Sequence, residues 1–273
     1  MKYLQNIHTH TTCSDGKNQP EEIVKKAIEL GFDTIGFSEH SPMYFSDVYN
    51  IRLEGNEIYR DVIPKLKDKY KGTIVIYMGI ELEICAMIDL SPYDYVLGAL
   101  HYFPMGEDIV AFDRSPQEVK DAIDKYFGGN GLLFAKRFYD FFAETVTGMK
   151  EKIDVIAHYD LCAKHRDFYK FFDEDSKEYK NYALEALHAI GEKVDIFEIN
   201  TGGMARGYRK TPYPASFIVK ELKNMGKGVI LGSDCHDMNY LTFGFDDGVE
   251  LLKSNGFNSV MILTPDGFKE TGL

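Results

Sequence analysis

Histidine and carboxylate recur at the ends of apolar runs along this chain, beginning with Ile7-His8-Thr9-His10-Thr11-Thr12-Cys13-Ser14-Asp15-Gly16. Side chains on a strand alternate faces, so His8 and His10 point the same way. Asp15 stands in a Ser-Asp-Gly turn, where the chain can fold back and bring a carboxylate to those imidazoles. Two imidazoles and an acid suit a divalent cation such as zinc or manganese. An isolated H-x-H is a weak signal, because two histidines on one strand face also arise from packing. Here the pattern repeats. Glu39-His40 follows the run 34–38, Glu81 and Glu83 follow 74–79, and His101 follows 95–100. His158 follows 154–157, Glu198 and Asn200 lie in 194–200, and Ser233-Asp234-Cys235-His236 follows 228–232.

His8, His10, His40, His101, His158 and His236 account for six of the eight histidines. His188 lies among Ala186, Leu187 and Ile190 in a predicted helix and reads as structural; His165 reads as an exposed loop residue. With Asp15, Glu81 and Asp234 the strand-end histidines offer more N and O ligands than one metal needs, so more than one metal is implied. The alternative is a single metal whose ligating imidazoles are oriented by the remaining groups. Glu83 shares a strand face with Glu81 and stands in reserve. Cys13, Cys85, Cys162 and Cys235 are scattered without a C-x-x-C, which indicates neither a disulfide framework nor a structural zinc knuckle. Cys13 and Cys235 lie in candidate metal loops, but they read first as small buried side chains.

The elements that must position these residues alternate. Gln19-Pro20-Glu21-Glu22 opens a helix with proline in its first turn, ended by Gly31, so the first segment reads strand, helix, strand. Ser115-Pro116-Gln117-Glu118 is a capping box, and Phe134, Phe138, Phe141 and Phe142 follow at the spacing of a helix core face. Pro64 predicts a break or kink near 62–66. Apolar runs that deliver ligands at their C-terminal ends predict a β/α barrel, whose site is built from strand ends and the loops after them. One domain, 1–273, is the simplest account, with insertions at about 41–70 and 102–150 overhanging the active-site face. The run 259–263 carries no candidate ligand and is an eighth strand or an edge segment.

A chain of 273 residues with 44% hydrophobic content can bury a large core. The net charge of −12 argues against nucleic acid or an anionic membrane surface as partner. Bound cations and a few arginines still permit a phosphate substrate. No apolar run approaches the roughly 20 residues that span a bilayer, which predicts a soluble, cytoplasmic protein.

Taken together and in order, H-x-H…D-G, S-E-H, G-I-E, A-L-H, I-A-H and S-D-C-H resemble the motifs of the PHP (polymerase and histidinol phosphatase) superfamily, over nearly the whole chain. That resemblance implies a distorted seven-stranded (β/α)7 barrel with a trinuclear site. Two to three divalent ions, zinc, manganese or iron, are the implied cofactors. His8, His10, Glu81 and Asp234 would hold one metal, Glu81 with His101 and His158 a second, and Asp15, His40 and His236 a third. Within the superfamily, the length, the insertion after the fourth strand and Glu198-Ile199-Asn200-Thr201-Gly202-Gly203 resemble the bacterial histidinol-phosphate phosphatases. The implied reaction is hydrolysis of the small phosphate ester L-histidinol phosphate by a metal-bound hydroxide attacking phosphorus. Arg206 is the expected phosphate ligand and Asn200 an expected substrate contact, with Arg209 and Arg166 as other arginines nearby. Asp15, His236 and a metal-bound water are the candidates to protonate the leaving alkoxide, and the sequence does not choose among them.

Two other readings keep the fold: a phosphatase for phosphotyrosine, a nucleotide or another small ester, and a non-catalytic metal-binding module. An amidohydrolase usually needs a lysine on a middle strand, and no strand end here carries one.

Overall fold

The computed structural model describes residues 4–43 and 53–273. Strands β1 (Gln5–Asn6), β2 (Thr34–His40), β3 (Val75–Glu83) and β4 (Tyr95–Ala99) are followed by the hairpin β5 (Tyr102–Met105) and β6 (Asp108–Ala111). Then come β7 (Val155–Ile156), β8 (Ile196–Asn200), β9 (Gly228–Gly232) and a second hairpin, β10 (Ser259–Thr264) and β11 (Gly267–Gly272). The helices are α1 (Pro20–Glu29), α2 (Leu53–Lys69), α3 (Pro116–Phe127), α4 (Gly131–Gly148), α5 (Lys177–Gly191), α6 (Gly202–Ala205), α7 (Ser216–Asn224) and α8 (Phe245–Ser254).

Seven strands pair in parallel in the order β1-β2-β3-β4-β7-β8-β9, each ladder joining strands consecutive within that set. The seam between first and last closes beyond the ladders, where Thr9 bridges Cys235 in parallel. Cys235 N donates to His8 O (3.0 Å) and His10 N donates to Cys235 O (2.8 Å). The result is a distorted seven-stranded (β/α) barrel joined at the residues that carry the predicted site.

Both faces of its strands are buried, which is why they read as apolar runs rather than as alternating ones. Inside lie Ile7, Tyr95, Leu97, Ala99, Val155, Ala157, Ile196 and Ile230. The Tyr95 ring fills space that only glycine leaves free: a Cβ on Gly79 would stand 2.2 Å from it, and one on Gly36 2.6 Å from its hydroxyl. Outside, α1 and α2 bury Ile23, Val24, Tyr59 and Ile63 against β2 and β3. A larger shell of α4, α5 and α7 packs around Phe134, Phe138, Phe142, Tyr159 and Leu222.

The run 259–263 is not an eighth barrel strand. Paired only with β11, β10 sends Leu263 into the barrel interior cluster. Gln5 Nε2 donates to Leu263 O (2.8 Å) and Leu263 N donates to Gln5 Oε1 (2.8 Å), so a side-chain amide substitutes for a ladder. Pro64 does not divide α2, which runs through it. Of the segment 41–70, α2 is a crossover helix packed on β2 and β3, and residues 44–52 lie outside the described residues. Within 102–150, the β5–β6 hairpin and α3 precede α4, which packs on α5 as a crossover helix. The predicted capping box is formed: Ser115 Oγ accepts from Glu118 N (3.3 Å) and Glu118 Oε2 accepts from Ser115 N (3.0 Å).

Candidate metal centre

All nine strand-end residues named from the sequence converge on one end of the barrel, with Glu81 at the middle. Glu81 Oε2 lies 2.6 Å from His40 Nδ1 and 3.5 Å from His10 Nε2. Its Oε1 lies 2.8 Å from His158 Nε2, 3.5 Å from His8 Nε2 and 3.6 Å from His101 Nε2. Asp234 Oδ1 stands 3.5 Å from His10 Nε2 and 3.3 Å from His236 Nδ1. Asp15 reaches across from its loop, 3.5 Å from His40 Nε2 and 3.3 Å from His236 Nε2. Among the described residues, four groups have ligand atoms close enough for one ion: His8-His10-Glu81, Glu81-His101-His158, His8-His158-Asp234 and His10-Asp15-His40-His236. The expected second set is therefore reproduced as a cluster, and the third is joined by His10. Of the expected first set, His8, His10 and Glu81 form one group, and Asp234 Oδ1 stands 3.8 Å from His8 Nε2 and 3.5 Å from His10 Nε2 while also grouping with His8 and His158.

Charge and burial favour cations here. Burial would raise the Glu81 carboxyl, yet the imidazoles of His40, His8 and His101 hold it well below the usual range. Asp234 is likewise held low against burial by Arg206 and His8. Burial, with His236 and His40 beside it, brings His10 down to about 3, leaving its ring neutral and able to ligate. His8 Nε2, both His10 nitrogens and His158 Nδ1 are buried without a hydrogen-bond partner. Orphaned buried polar atoms of ligand type, converging from several strands, fit divalent metal ions. Two of these residues also hold left-handed backbone without being glycine, His158 at φ 23° and Asp234 at φ 46°. Such conformations persist where the surroundings over-determine them.

Outside the ligands stand residues that aim them. Glu198 Oε1 lies 2.7 Å from His8 Nδ1, while its Oε2 accepts from His158 N (3.1 Å) and Asn200 Nδ2 (2.8 Å). Glu83 Oε2 accepts from His101 N and lies 2.9 Å from His101 Nδ1, so the reserve ligand orients an imidazole instead. Glu39, buried and raised to about 7 by that burial against the hydrogen bonds of Ser14 and Thr11, grips the loop carrying Asp15. A carboxylate on the far nitrogen fixes the tautomer and direction of a ligating histidine. The sequence offered Glu198 and Glu83 only as acids on strands; the partner each finds is a tertiary fact.

The remaining expectations divide. Arg206 lines the pocket above the cluster, donating from Nη2 to Asp234 Oδ2 (2.7 Å) and from Nη1 to Asp234 O (2.8 Å). Asn200 does not line that pocket: it is buried, donating to Glu198 and accepting at Oδ1 from Gly202 N (2.9 Å). Arg209 is buried against Asp160 and lies 4.0 Å over the Tyr213 ring, and Arg166 pairs with Glu174 at 2.8 Å away from the cluster. Cys13 and Cys235 pack in the α1–α2 core and join none of the four groups. His165 is buried, not exposed, with Nε2 2.7 Å from Arg114 O. His188 forms a surface pair with Glu221 at 2.8 Å.

Lys164 escaped the sequence reading. It lines the same pocket as Arg206, its Nζ donating to Asp113 O, with the amine 4.4 Å over the Tyr208 ring. Burial lowers its pKa, opposed by Asp113. Its place six residues beyond His158 was the available signal, but a lysine in a loop is ordinarily solvated.

A barrel whose strand ends converge on several groups able to hold a cation, beneath a pocket bordered by lysine and arginine, is suited to metal-assisted chemistry on an anionic substrate. The PHP domain model matches residues 6–202, and the chain belongs to the PHP domain family. It is 25% identical over 95% of its length to a Deinococcus radiodurans protein described as "Probable histidinol-phosphatase", 96% of which is covered. The histidinol-phosphatase of Lactococcus lactis subsp. lactis is 26% identical, with 95% of this chain and 94% of the relative aligned. The fold is also that of the L. lactis histidinol phosphate phosphatase solved with zinc, L-histidinol and phosphate. The TM-score is 0.68 at 22% identity, with 97% of this chain and 98% of that one covered.

Proposed function

We propose that this chain is a metal-dependent phosphomonoesterase that hydrolyses L-histidinol phosphate to L-histidinol and phosphate, the activity named for its curated relatives. The observation that carries the chemistry is one pocket lined by Asp15, His40, Glu81, His101, His158, Asp234 and His236, with His8 and His10 buried among them and Arg206 and Lys164 on its wall. His8, His10, Asp15, His40, Glu81, His101, His158, Asp234 and His236 would hold two to three divalent ions, zinc, manganese or iron, with Glu81 shared between sites. Bound cations of this kind supply a nucleophile from water at neutral pH and neutralise the phosphoryl oxygens.

The chain's own groups then have defined tasks. Arg206 and Lys164 bind the phosphoryl oxygens, the guanidinium offering its planar fork and the amine a point charge. Glu198 and Glu83 keep His8 and His101 aimed. Asp15 and His236 face each other 3.3 Å apart at the more open side of the cluster, 23% and 20% exposed. That side is where an alcohol departs; its proton comes from solvent there, because Asp15, whose burial would raise its carboxyl, is held below the usual carboxylate range by His40 and His236 and carries none at neutral pH. In this reading residues 1–273 act as one domain, with the segment around Asp113, after the β5–β6 hairpin, bordering the pocket.

The test is phosphate release by purified protein loaded with zinc or manganese. Histidinol phosphate should be turned over with a kcat/KM at least ten times that for p-nitrophenyl phosphate. Equal rates would remove the substrate assignment and leave a phosphatase for another small ester.

A further inference from the structure

Asp15 differs from the other ligands in its support. Most of the others stand at or near the ends of barrel strands, whereas Asp15 hangs from the turn Thr11–Gly16, so something must hold that turn against the cluster. Most hydrogen bonds of the turn run through two residues, besides Thr12 N donating to Asn18 O (3.0 Å) and the Ser14 hydroxyl lying 3.3 Å from Asp15 Oδ1. Thr11 O accepts from Ser14 N (3.1 Å) and Gly16 N (2.9 Å), and Thr11 Oγ1 accepts from Cys13 N (3.1 Å). Thr11 is in turn held by Glu39, whose Oε1 accepts from Thr11 N (2.9 Å) and from Thr11 Oγ1 (2.5 Å). Glu39 Oε2 accepts from the hydroxyl of Ser14, the residue beside Asp15. Both carboxylate oxygens are thus spent on one turn, and the Glu39 side chain is fully buried beneath it. The turn has no slack: a Cβ on Gly16 would lie 2.4 Å from His10 O. His40, the next residue after Glu39, is itself a ligand of the group that contains Asp15.

We infer that Glu39 is a positioning residue for the His10-Asp15-His40-His236 site, clamping the Thr11–Gly16 turn so that Asp15 presents its carboxylate to the cation there. It touches no ligand atom and would hold no metal. Its effect is centred on that one site, because Glu81 stands on β3 and His101 and His158 just past β4 and β7, strands that the turn does not support. Partners of this kind carry about 10- to 100-fold in metal affinity. The inference rests on the reading of the four-residue group as a metal site.

Metal content separates the two claims. Wild type, Asp15→Asn and Glu39→Gln would be loaded with zinc, passed through a desalting column and assayed for zinc per chain, then titrated with zinc alone. Asp15→Asn should lose one ion, and Glu39→Gln should lose the same ion while keeping the rest. In Glu39→Gln the missing ion should return at a zinc concentration about 10- to 100-fold higher, which a merely destabilised protein would not do. Ser14→Ala, which leaves the buried carboxylate and its Thr11 contacts intact, should weaken the same step to a smaller degree. Unchanged zinc content in Asp15→Asn would overturn the metal site itself. Loss in Asp15→Asn with wild-type binding in Glu39→Gln, or loss of all ions together in Glu39→Gln, would overturn the clamp alone. If Glu39→Gln does not fold, wild-type zinc affinity in Ser14→Ala overturns it.

Discussion

Glu198 Oε1 sits 2.7 Å from His8 Nδ1, and it can do so only because residue 232 on the neighbouring strand is glycine. A Cβ there would lie 2.0 Å from that same oxygen and 3.2 Å from the His8 Cβ. The turned imidazole leaves Nε2 facing Glu81 and Asp234. Gly232→Ala should therefore act on the metal site from outside it, as should Glu198→Gln. Each is expected to weaken zinc binding, or activity at fixed zinc, by about 10- to 100-fold. Zinc titration followed by phosphate release would show it, and wild-type affinity in both would sever Glu198 from the metal site.

Lys164 and Arg206 are expected to share the phosphoryl group. Lys164→Met and Arg206→Met should each lower kcat/KM by about 10- to 100-fold, matching the ~1.5–3 kcal/mol of a hydrogen bond to a charged group. Inorganic phosphate should inhibit both variants less well than wild type. If Lys164→Met keeps the wild-type inhibition constant for phosphate, the amine serves only its contact with Asp113 O.

Removing metal should cost stability as well as activity. Without cations, buried Glu81 and Asp234 are balanced only by histidine and arginine. A ligand at 100 times its Kd adds about 2.7 kcal/mol to the folded state. Thermal melts with and without EDTA should differ by several degrees, and zinc or manganese should restore the higher Tm. Identical melts would argue against tight resident ions.

Gln5→Ala should detach the C-terminal hairpin from the barrel floor. It removes both hydrogen bonds to the Leu263 backbone and leaves a buried N–H and C=O unpaired, at about 2–3 kcal/mol together. Urea denaturation should report that loss while zinc affinity stays as in wild type, since the hairpin lies at the opposite end from the ligands. A fall in zinc affinity would mean that the two ends of the barrel are coupled.

Glu174 gives a pH dependence of predictable sign. Burial raises its carboxyl from 4.5 to about 7, with Arg166 opposing the shift. The folded state then binds the proton more tightly than the unfolded chain, so this group's contribution is present below about pH 4.5 and is lost as pH rises through 7. Glu174→Gln should be stabilised relative to wild type more at pH 8 than at pH 5, by at most a few kcal/mol. A difference between the two proteins that does not change with pH would place the Glu174 proton elsewhere.

The convergence of the candidate ligands was legible because parallel strands buried on both faces read as apolar runs, and each run ends where the chain emerges onto one face of the barrel. His40, His101 and His158 needed no more than that. Less legible were residues whose function depends on a neighbour distant in the chain. Asn200 stands at a strand end like the ligands, yet its amide is consumed by Glu198 and Gly202 N. Lys164 looked like an ordinary loop cation until the fold laid it along the pocket of Arg206. His165 looked exposed for the same reason. The 259–263 run read as an eighth strand or an edge segment, because Leu263 is buried by plugging the barrel and Val260 by packing in the outer shell rather than by joining the ladder.

By itself the sequence determined which side chains can bind cations and that they emerge together, since residue type and strand period are local properties. Only the tertiary structure decided which candidate ligands stand close enough to share an ion and which acids lie against imidazoles. It also decided where the seam of the barrel closes. These are distances between segments as far apart as His8 and Glu198, set by ladder register and by the few glycines that let strands and side chains approach.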